Sequence, residues 1–178
     1  MLRARTMMDP GEAACSSALI CGKLLTLDRV KTAACVMAYC TFKNEPDLNE
    51  FINACRALGK AVALPYIVGK GELKAVRYES GSLMKKSKFG IPEPKLKSKG
   101  DELKPDVVIA PGIAFDAELY RIGFGGGYYD RFLACSTAYK IGVCYDYQIV
   151  DGIGCEAHDV PMDVVVTEKR IIGGRGCA

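Results

Sequence analysis

The run Asp106-Val-Val-Ile-Ala110 carries one charge, then four apolar residues, before Pro111 interrupts it. A short continuous apolar run closed by a breaker predicts a buried strand. The pattern recurs on both sides. Residues 33–39 (AACVMAY) read as a buried strand, and residues 61–65 (AVALP) as another that ends at its proline. Residues 140–145 and 162–167 read as further strands. Residues 72–79 place Leu73, Ala75, Val76 and Tyr78 in a roughly alternating pattern that also suits a strand.

Helical patterns fall between these runs. Asp9-Pro10-Gly11-Glu12 offers a capping acid, a proline suited to the first helical position, and an acid where a capping box places one. It predicts a helix to about Leu27. After Pro46, the residues Leu48, Phe51, Ile52, Cys55 and Leu58 share one face, with Gly59 as the stop. Residues 128–135 read as a third helix. Strands alternating with helices predict an α/β fold: a single domain over residues 1–178, with a mostly parallel sheet flanked by helices. The closing GGRGCA reads as a frayed end.

A chain of 178 residues, 49% hydrophobic and 25% charged, can bury a sizeable core and has a soluble, globular composition. No run approaches the ~18 apolar residues of a membrane span, and the N-terminal stretch lacks the apolar segment of a signal peptide. A cytoplasmic protein without a membrane partner is expected. The nine cysteines are odd in number and include no C-x-x-C pair, so they read as reduced thiols. A single histidine, His158, argues against a structural zinc site. The net charge of +3 is uneven: residues 85–104, KKSKFGIPEPKLKSKGDELK, hold seven lysines against three acids. That tract reads as a solvated basic loop or as a landing site for an anionic ligand. Phe89 is its single aromatic, too few for a nucleic-acid stacking platform.

Beyond the Asp106 strand, at the end of the sheet where α/β folds gather ligands, lies Arg121-Ile-Gly-Phe-Gly-Gly-Gly-Tyr-Tyr-Asp130. Glycines let backbone N–H groups approach a ligand and take positive φ, and a run of such amides makes an anion nest. A helix starting near Tyr128 adds its positive end, Arg121 a cation, and Asp130 a hard oxygen suited to Mg²⁺. No lysine follows the glycines as a Walker loop requires. Twelve residues, Pro111 to Ile122, separate the strand from Gly123, which a dinucleotide fingerprint does not allow. A phosphate cradle and a packing loop remain as readings.

Several segments in order resemble one family. Pro111-Gly-Ile-Ala-Phe-Asp116 with the glycine stretch through Arg131 is similar to the signature of the 5-formyltetrahydrofolate cyclo-ligases. So are Phe89-Gly-Ile-Pro-Glu-Pro94, the Tyr39 to Asp47 segment, Gly59-Lys60 with Leu64-Pro65, and Glu156 to Asp163 with Val166-Thr-Glu168. The resemblance spans residues 10–168. It implies an ATP- and Mg²⁺-dependent closure of 5-formyltetrahydrofolate, with or without a polyglutamate tail, to 5,10-methenyltetrahydrofolate in a monomer. It also implies that Arg121, Ile122, Gly123, Phe124, Gly125, Gly126, Gly127, Tyr128 and Tyr129 line ATP. Phe124 through Tyr128 would border the folate, with Glu45 facing it and Phe89 stacking on it, and with Tyr66 as a further stacking residue. Asp130 and Asp159 would hold Mg²⁺, and Arg121 and Asp130 would serve catalysis.

Each position also has a structural reading: Asp159 and Asp163 as turn caps, Glu45 as a helix-start acid, the tyrosines as packing, and His158 as a loop residue beside Asp159. Two departures stand out. The family usually has an N-terminal Lys-x-x-x-Leu-Arg motif, whereas this chain starts Met1-Leu2-Arg3; matching Asp9-Pro10 instead places Arg5 near the end of that segment. Leu119 stands where the family usually has glycine. The alternatives are a non-catalytic folate- or nucleotide-binding relative and, more remotely, an ATP-independent phosphosugar-type isomerase.

Overall fold

A computed structural model describes residues 1–79, 82–95 and 98–173. The elements run α1 (Leu2–Met7), α2 (Pro10–Thr26), α3 (Asp28–Thr32), β1 (Cys35–Met37), α4 (Asn49–Ala57), β2 (Ala61–Gly69), β3 (Glu72–Arg77), β4 (Met84–Lys86) and β5 (Pro92–Pro94). They continue with β6 (Val107–Pro111), β7 (Ala114–Asp116), β8 (Arg121–Ile122), α5 (Tyr128–Ala134), β9 (Tyr139–Val143), β10 (Ile149–Val150), β11 (Val164–Val166) and β12 (Ile171–Gly173). The main sheet has seven strands in the order β12-β11-β9-β6-β1-β2-β3. Its interior is parallel, and β3 and β12 close the edges antiparallel. The mostly parallel α/β sheet expected from the sequence is present.

The Val107 to Ala110 run sits at the centre of that sheet and is covered on both faces. Val107 and Ile109 pack with Ile20, Leu24, Phe51 and Ile52 of α2 and α4. Val108 and Ala110 face the other way, onto Phe115 and Leu133. This second face is covered by α5 and the small sheet β10-β7-β8 rather than by a full helical layer. Phe115 can lie that close because Gly112 and Gly142 leave room: a Cβ on Gly112 would come within 2.5 Å of its ring, and one on Gly142 would also collide.

Helix α2 starts where the sequence placed it, with Asp9 Oδ1 accepting from the N–H groups of Gly11 and Glu12 at 2.9 and 3.1 Å. Strand β2 does not stop at Pro65 but continues to Gly69. Its β1 partner ends opposite Ala63, so the missing N–H of Pro65 lies on an open edge and costs no ladder bond. The lysine tract is not a plain loop. Strands β4 and β5 form a hairpin within it, pinned where Glu93 Oε2 accepts the Ile67 N–H at 3.1 Å. Lys97 of that tract and Gly174 to Ala178 of the expected frayed end lie outside the described residues, whereas Gly173 pairs with Val164 in the β11–β12 edge. No helix among the described residues is long and apolar enough to cross a membrane.

Parallel strands send their carboxyl ends to one side of the sheet. The loops after β1 and β6 meet there, and the β4–β5 hairpin closes over them.

Candidate active site

A cleft of about 740 Å³ opens at this end, a size that suits a drug-sized or larger ligand. One wall is the glycine loop. Gly125 and Gly127 hold φ of +77° and +60°, so a side chain there would strain the backbone. Arg131 braces the loop from behind by donating to the carbonyls of Gly71 (2.8 Å) and Gly126. The N–H groups of Gly123 to Gly127 donate to no other described residue. Helix α5 has only seven residues, so these open amides, more than a long helix dipole, make the loop attractive to anions. Arg121 stands beside them with its side chain 4% exposed, bonded to Asp130 Oδ1 at 2.7 Å and lying over the Tyr129 ring.

The opposite wall is the turn after β1. Lys43 and Asn44 both take left-handed φ (49° and 56°), a conformation costing L-residues roughly 1–2 kcal/mol each. Their turn delivers Glu45 into the interior, 5% exposed, with Oε2 accepting the Phe42 N–H at 3.2 Å. Burial pushes the Glu45 carboxyl up to about 7, against the opposing pull of Arg5 and of that N–H. Tyr129 shares this inner end, and burial raises its hydroxyl as well.

The third wall is the β4–β5 hairpin. Phe89 at its tip meets Tyr128 edge-on with ring centroids 5.9 Å apart, and Lys88 lies over both rings. Lys88 and the Gly71 backbone hold the Tyr128 hydroxyl below its ordinary pKa. Across the cleft Phe42 and Phe124 make a second edge-on pair at 5.9 Å. Phe89, Ile122 and Phe124 leave an exposed apolar rim.

The structure therefore gathers Glu45, Phe89, Arg121 through Asp130 and Asp159 around one cleft. Tyr66 is not among the lining residues; its ring is covered by Lys85, which donates to its hydroxyl at 3.2 Å. Asp159 has one oxygen engaged as a turn cap, accepting from the Glu156 N–H at 2.7 Å, and His158 is exposed 3.9 Å from the other. Asp163 lies at the opposite end of the sheet, where it accepts from the Lys140 N–H. Leu119 adopts φ of +72°, so the turn keeps the left-handed shape a glycine would take, with leucine bearing the strain.

The sequence placed Arg5 near the end of the family's N-terminal basic segment without assigning it a role. Buried to 1%, it reaches Glu45 at 3.6 Å. Among the described residues, the buried side-chain polar atoms without a hydrogen-bond partner are Arg5 Nη2, Arg121 Nε and the Tyr129 hydroxyl. All three belong to this cleft or stand directly behind it, and all three can donate. No group of three or more His, Cys, Asp or Glu is gathered among the described residues. Two carboxylates in one cleft instead suit Mg²⁺, which binds through one or two carboxylates plus substrate phosphates.

A family model described as the 5-formyltetrahydrofolate cyclo-ligase family matches residues 1–168. The 5-formyltetrahydrofolate cyclo-ligase of Escherichia coli is 33% identical over 157 residues, covering 84% of this chain and 86% of that protein. The solution structure of Aquifex aeolicus 5,10-methenyltetrahydrofolate synthetase is similar over 99% of this chain and 90% of that one, with a TM-score of 0.85 and 33% identity. A synthetase structure from Mycoplasma pneumoniae, at 22% identity and a TM-score of 0.75 over 94% of this chain and 93% of that one, shares the fold.

Proposed function

The chain belongs to the 5-formyltetrahydrofolate cyclo-ligase family, and from that premise we propose that it closes 5-formyltetrahydrofolate to 5,10-methenyltetrahydrofolate at the expense of ATP. The observation that carries this reading is the set of unpaired buried donors on Arg121 and Tyr129, together with glycine-loop amides that have no acceptor, among the residues that line one cleft. Such groups are costly to bury without a partner, so the site fits a ligand rich in acceptor oxygens.

A formamide oxygen is a poor leaving group. It attacks the γ-phosphorus of ATP, the bond to the departing ADP oxygen breaks, and the formyl carbon becomes a phosphorylated iminium. The N10 amine then adds to that carbon and gives up its proton. The C–O bond breaks, phosphate leaves with the former formyl oxygen, and the five-membered ring is complete. This chemistry asks a protein mainly for positioning and charge neutralisation. The amides of Gly123 to Gly127 bind the phosphates, and Arg121 neutralises charge that builds on the transferring group. Asp130 and Asp159 are the residues that would hold Mg²⁺, which when bound spreads the phosphate charge. Glu45 accepts N–H groups of the pterin, while Phe89, Phe124 and Tyr128 border its aromatic parts. Lys43 and Lys88 at the mouth suit an acidic, polyglutamate-like tail. The working unit we propose is a monomer, since one chain supplies every group named for the site.

The test is to supply 5-formyltetrahydrofolate with Mg-ATP and follow the near-ultraviolet absorbance of the methenyl product. Product that depends on both ATP and Mg²⁺ is expected. A folded protein that binds either ligand without forming product would instead be a non-catalytic relative.

A further inference from the structure

We infer that Arg5 is a positioning residue for Glu45: from behind the cleft wall it holds the 42–45 turn and sets the carboxylate where a ligand meets it. The inference rests on the proposed function for the identity of that ligand. Arg5 does not line the cleft, so it acts through its neighbours. Its Nε donates to the Lys43 carbonyl at 2.8 Å, between the two left-handed residues of the turn. Asn44 Nδ2 returns a bond to the Arg5 carbonyl at 3.1 Å, so helix α1 and the turn hold each other. Arg5 Nη1 donates to Gly112 at the mouth of the β6 loop (3.3 Å), and the guanidinium lies 5.9 Å from the centre of the Phe124 ring. One fork thus ties the Glu45 turn, the β6 loop and the glycine loop together.

The Glu45 contact is the loose one. At 3.6 Å Nη2 is near enough to act on the carboxylate by charge but is not hydrogen-bonded to it. Both Glu45 and Nη2 are left short of partners, as expected if a ligand completes the arrangement. The groups facing Glu45 are Arg5 from α1, the Phe42 N–H of its own turn, Tyr39 just after β1, and Tyr129 of α5. Of these Arg5 is the cation, and both tyrosine hydroxyls are pushed up by burial and stay neutral. Arg5 therefore opposes the burial that raises Glu45 to about 7.

The test uses Arg5→Met, which keeps the apolar stem and removes every donor, and Arg5→Lys, which keeps the charge and loses the fork. Arg5→Met is expected to raise KM for the folate on the order of 10-fold or more while KM for ATP changes by less than about 2-fold. The acid limb of the folate kcat/KM profile should move to higher pH, and Arg5→Lys should restore part of that shift. In a Glu45→Gln background Arg5→Met should add little. Equal rises in both KM values, or an unmoved limb, would mean that Arg5 is structural only. A second readout does not need activity: the Glu45 carboxyl ¹³C signal, assigned by its loss in Glu45→Gln, should titrate at higher pH in Arg5→Met. An unmoved midpoint overturns the inference whatever the activity. A moved midpoint in a protein that cannot cyclise the folate leaves the inference standing and removes the proposed function.

Discussion

Both ends of the parallel sheet carry a cavity lined with charged side chains. At the amino end a cavity of about 580 Å³ is bordered by Arg29, Asp106, Lys140 and Asp163. Its acids are already used. Asp106 Oδ2 accepts the N–H groups of Ala34 and Cys35 at 2.9 and 2.8 Å, and Asp163 Oδ2 takes both the backbone N–H and the ammonium of Lys140. Arg29 lies over the Tyr139 ring. At the carboxyl end, glycine amides and three buried side-chain donors have no partner among the described residues, and Glu45 is buried beside an arginine that does not quite reach it. Charge lines both cavities. What separates them is unfinished hydrogen bonding, because a fold leaves buried donors open only where something else completes them.

The sharpest way to break this contrast is Asp130→Asn. It should lower turnover roughly 100-fold or more, the scale of losing a charge-stabilising group in a transition state, and also lower the melting temperature, because the buried Arg121 keeps an amide oxygen at this position but loses its counter-charge. Steady-state rates and calorimetry on the same sample check it, and undiminished turnover would remove Asp130 from the metal-binding role.

Glu45→Gln comes next. A carboxylate accepting pterin N–H groups contributes a charge-assisted bond, so KM for the folate should rise on the order of 10-fold. The pH dependence follows from the raised pKa. Below about 7 the free protein holds Glu45 protonated, and binding must expel that proton, so the folate KM should climb as pH falls through this range. Glu45→Gln should flatten that climb. The same group also affects folding. Its stabilising contribution is complete below its ordinary value of 4.5 and is lost as pH rises through about 7. Urea denaturation of the two proteins at several pH values reports the difference directly.

A smaller effect is expected from Gly127→Ala. The residue sits at φ +60° with Arg131 2.8 Å from where a Cβ would lie, so alanine should cost about 1 kcal/mol of stability and raise KM for ATP severalfold. The smallest kinetic effect belongs to the amino end. Asp106→Ala should cost no more than about 1 kcal/mol, because the two strand-start amides that lose their acceptor are exposed to water, and leave both KM values unchanged. A KM change there would erase the distinction between the two ends.

What the sequence disclosed follows from how local each signal is. Val107 to Ala110 and the Asp9-Pro10 helix start were legible because burial on both faces and end capping are properties of adjacent residues. The β4–β5 hairpin was not. Its strands are three residues each and mostly polar, and Glu93 is held by Ile67, 26 positions away. The run of β2 beyond Pro65 depended on where β1 stops, which no local pattern carries. The glycine loop offered an anion nest through its glycines together with Arg121 and Asp130, with a packing loop left open, whereas Glu45 and Asp159 entered through family resemblance rather than spacing. Arg5 entered through the resemblance, as the residue near the end of the family's N-terminal basic segment, with no partner to be named from the sequence. Its burial is set by Lys43, Glu45 and Gly112, partners far along the chain.

If ATP activates the formyl oxygen in the carboxyl-end cleft, that oxygen must leave the folate in the released phosphate. The direct measurement supplies 5-formyltetrahydrofolate labelled with ¹⁸O in its formyl group, together with Mg-ATP, and analyses the released phosphate by mass spectrometry. One ¹⁸O is expected in each phosphate formed with the methenyl product. Product accompanied by unlabelled phosphate, or product formed without ADP, would contradict it.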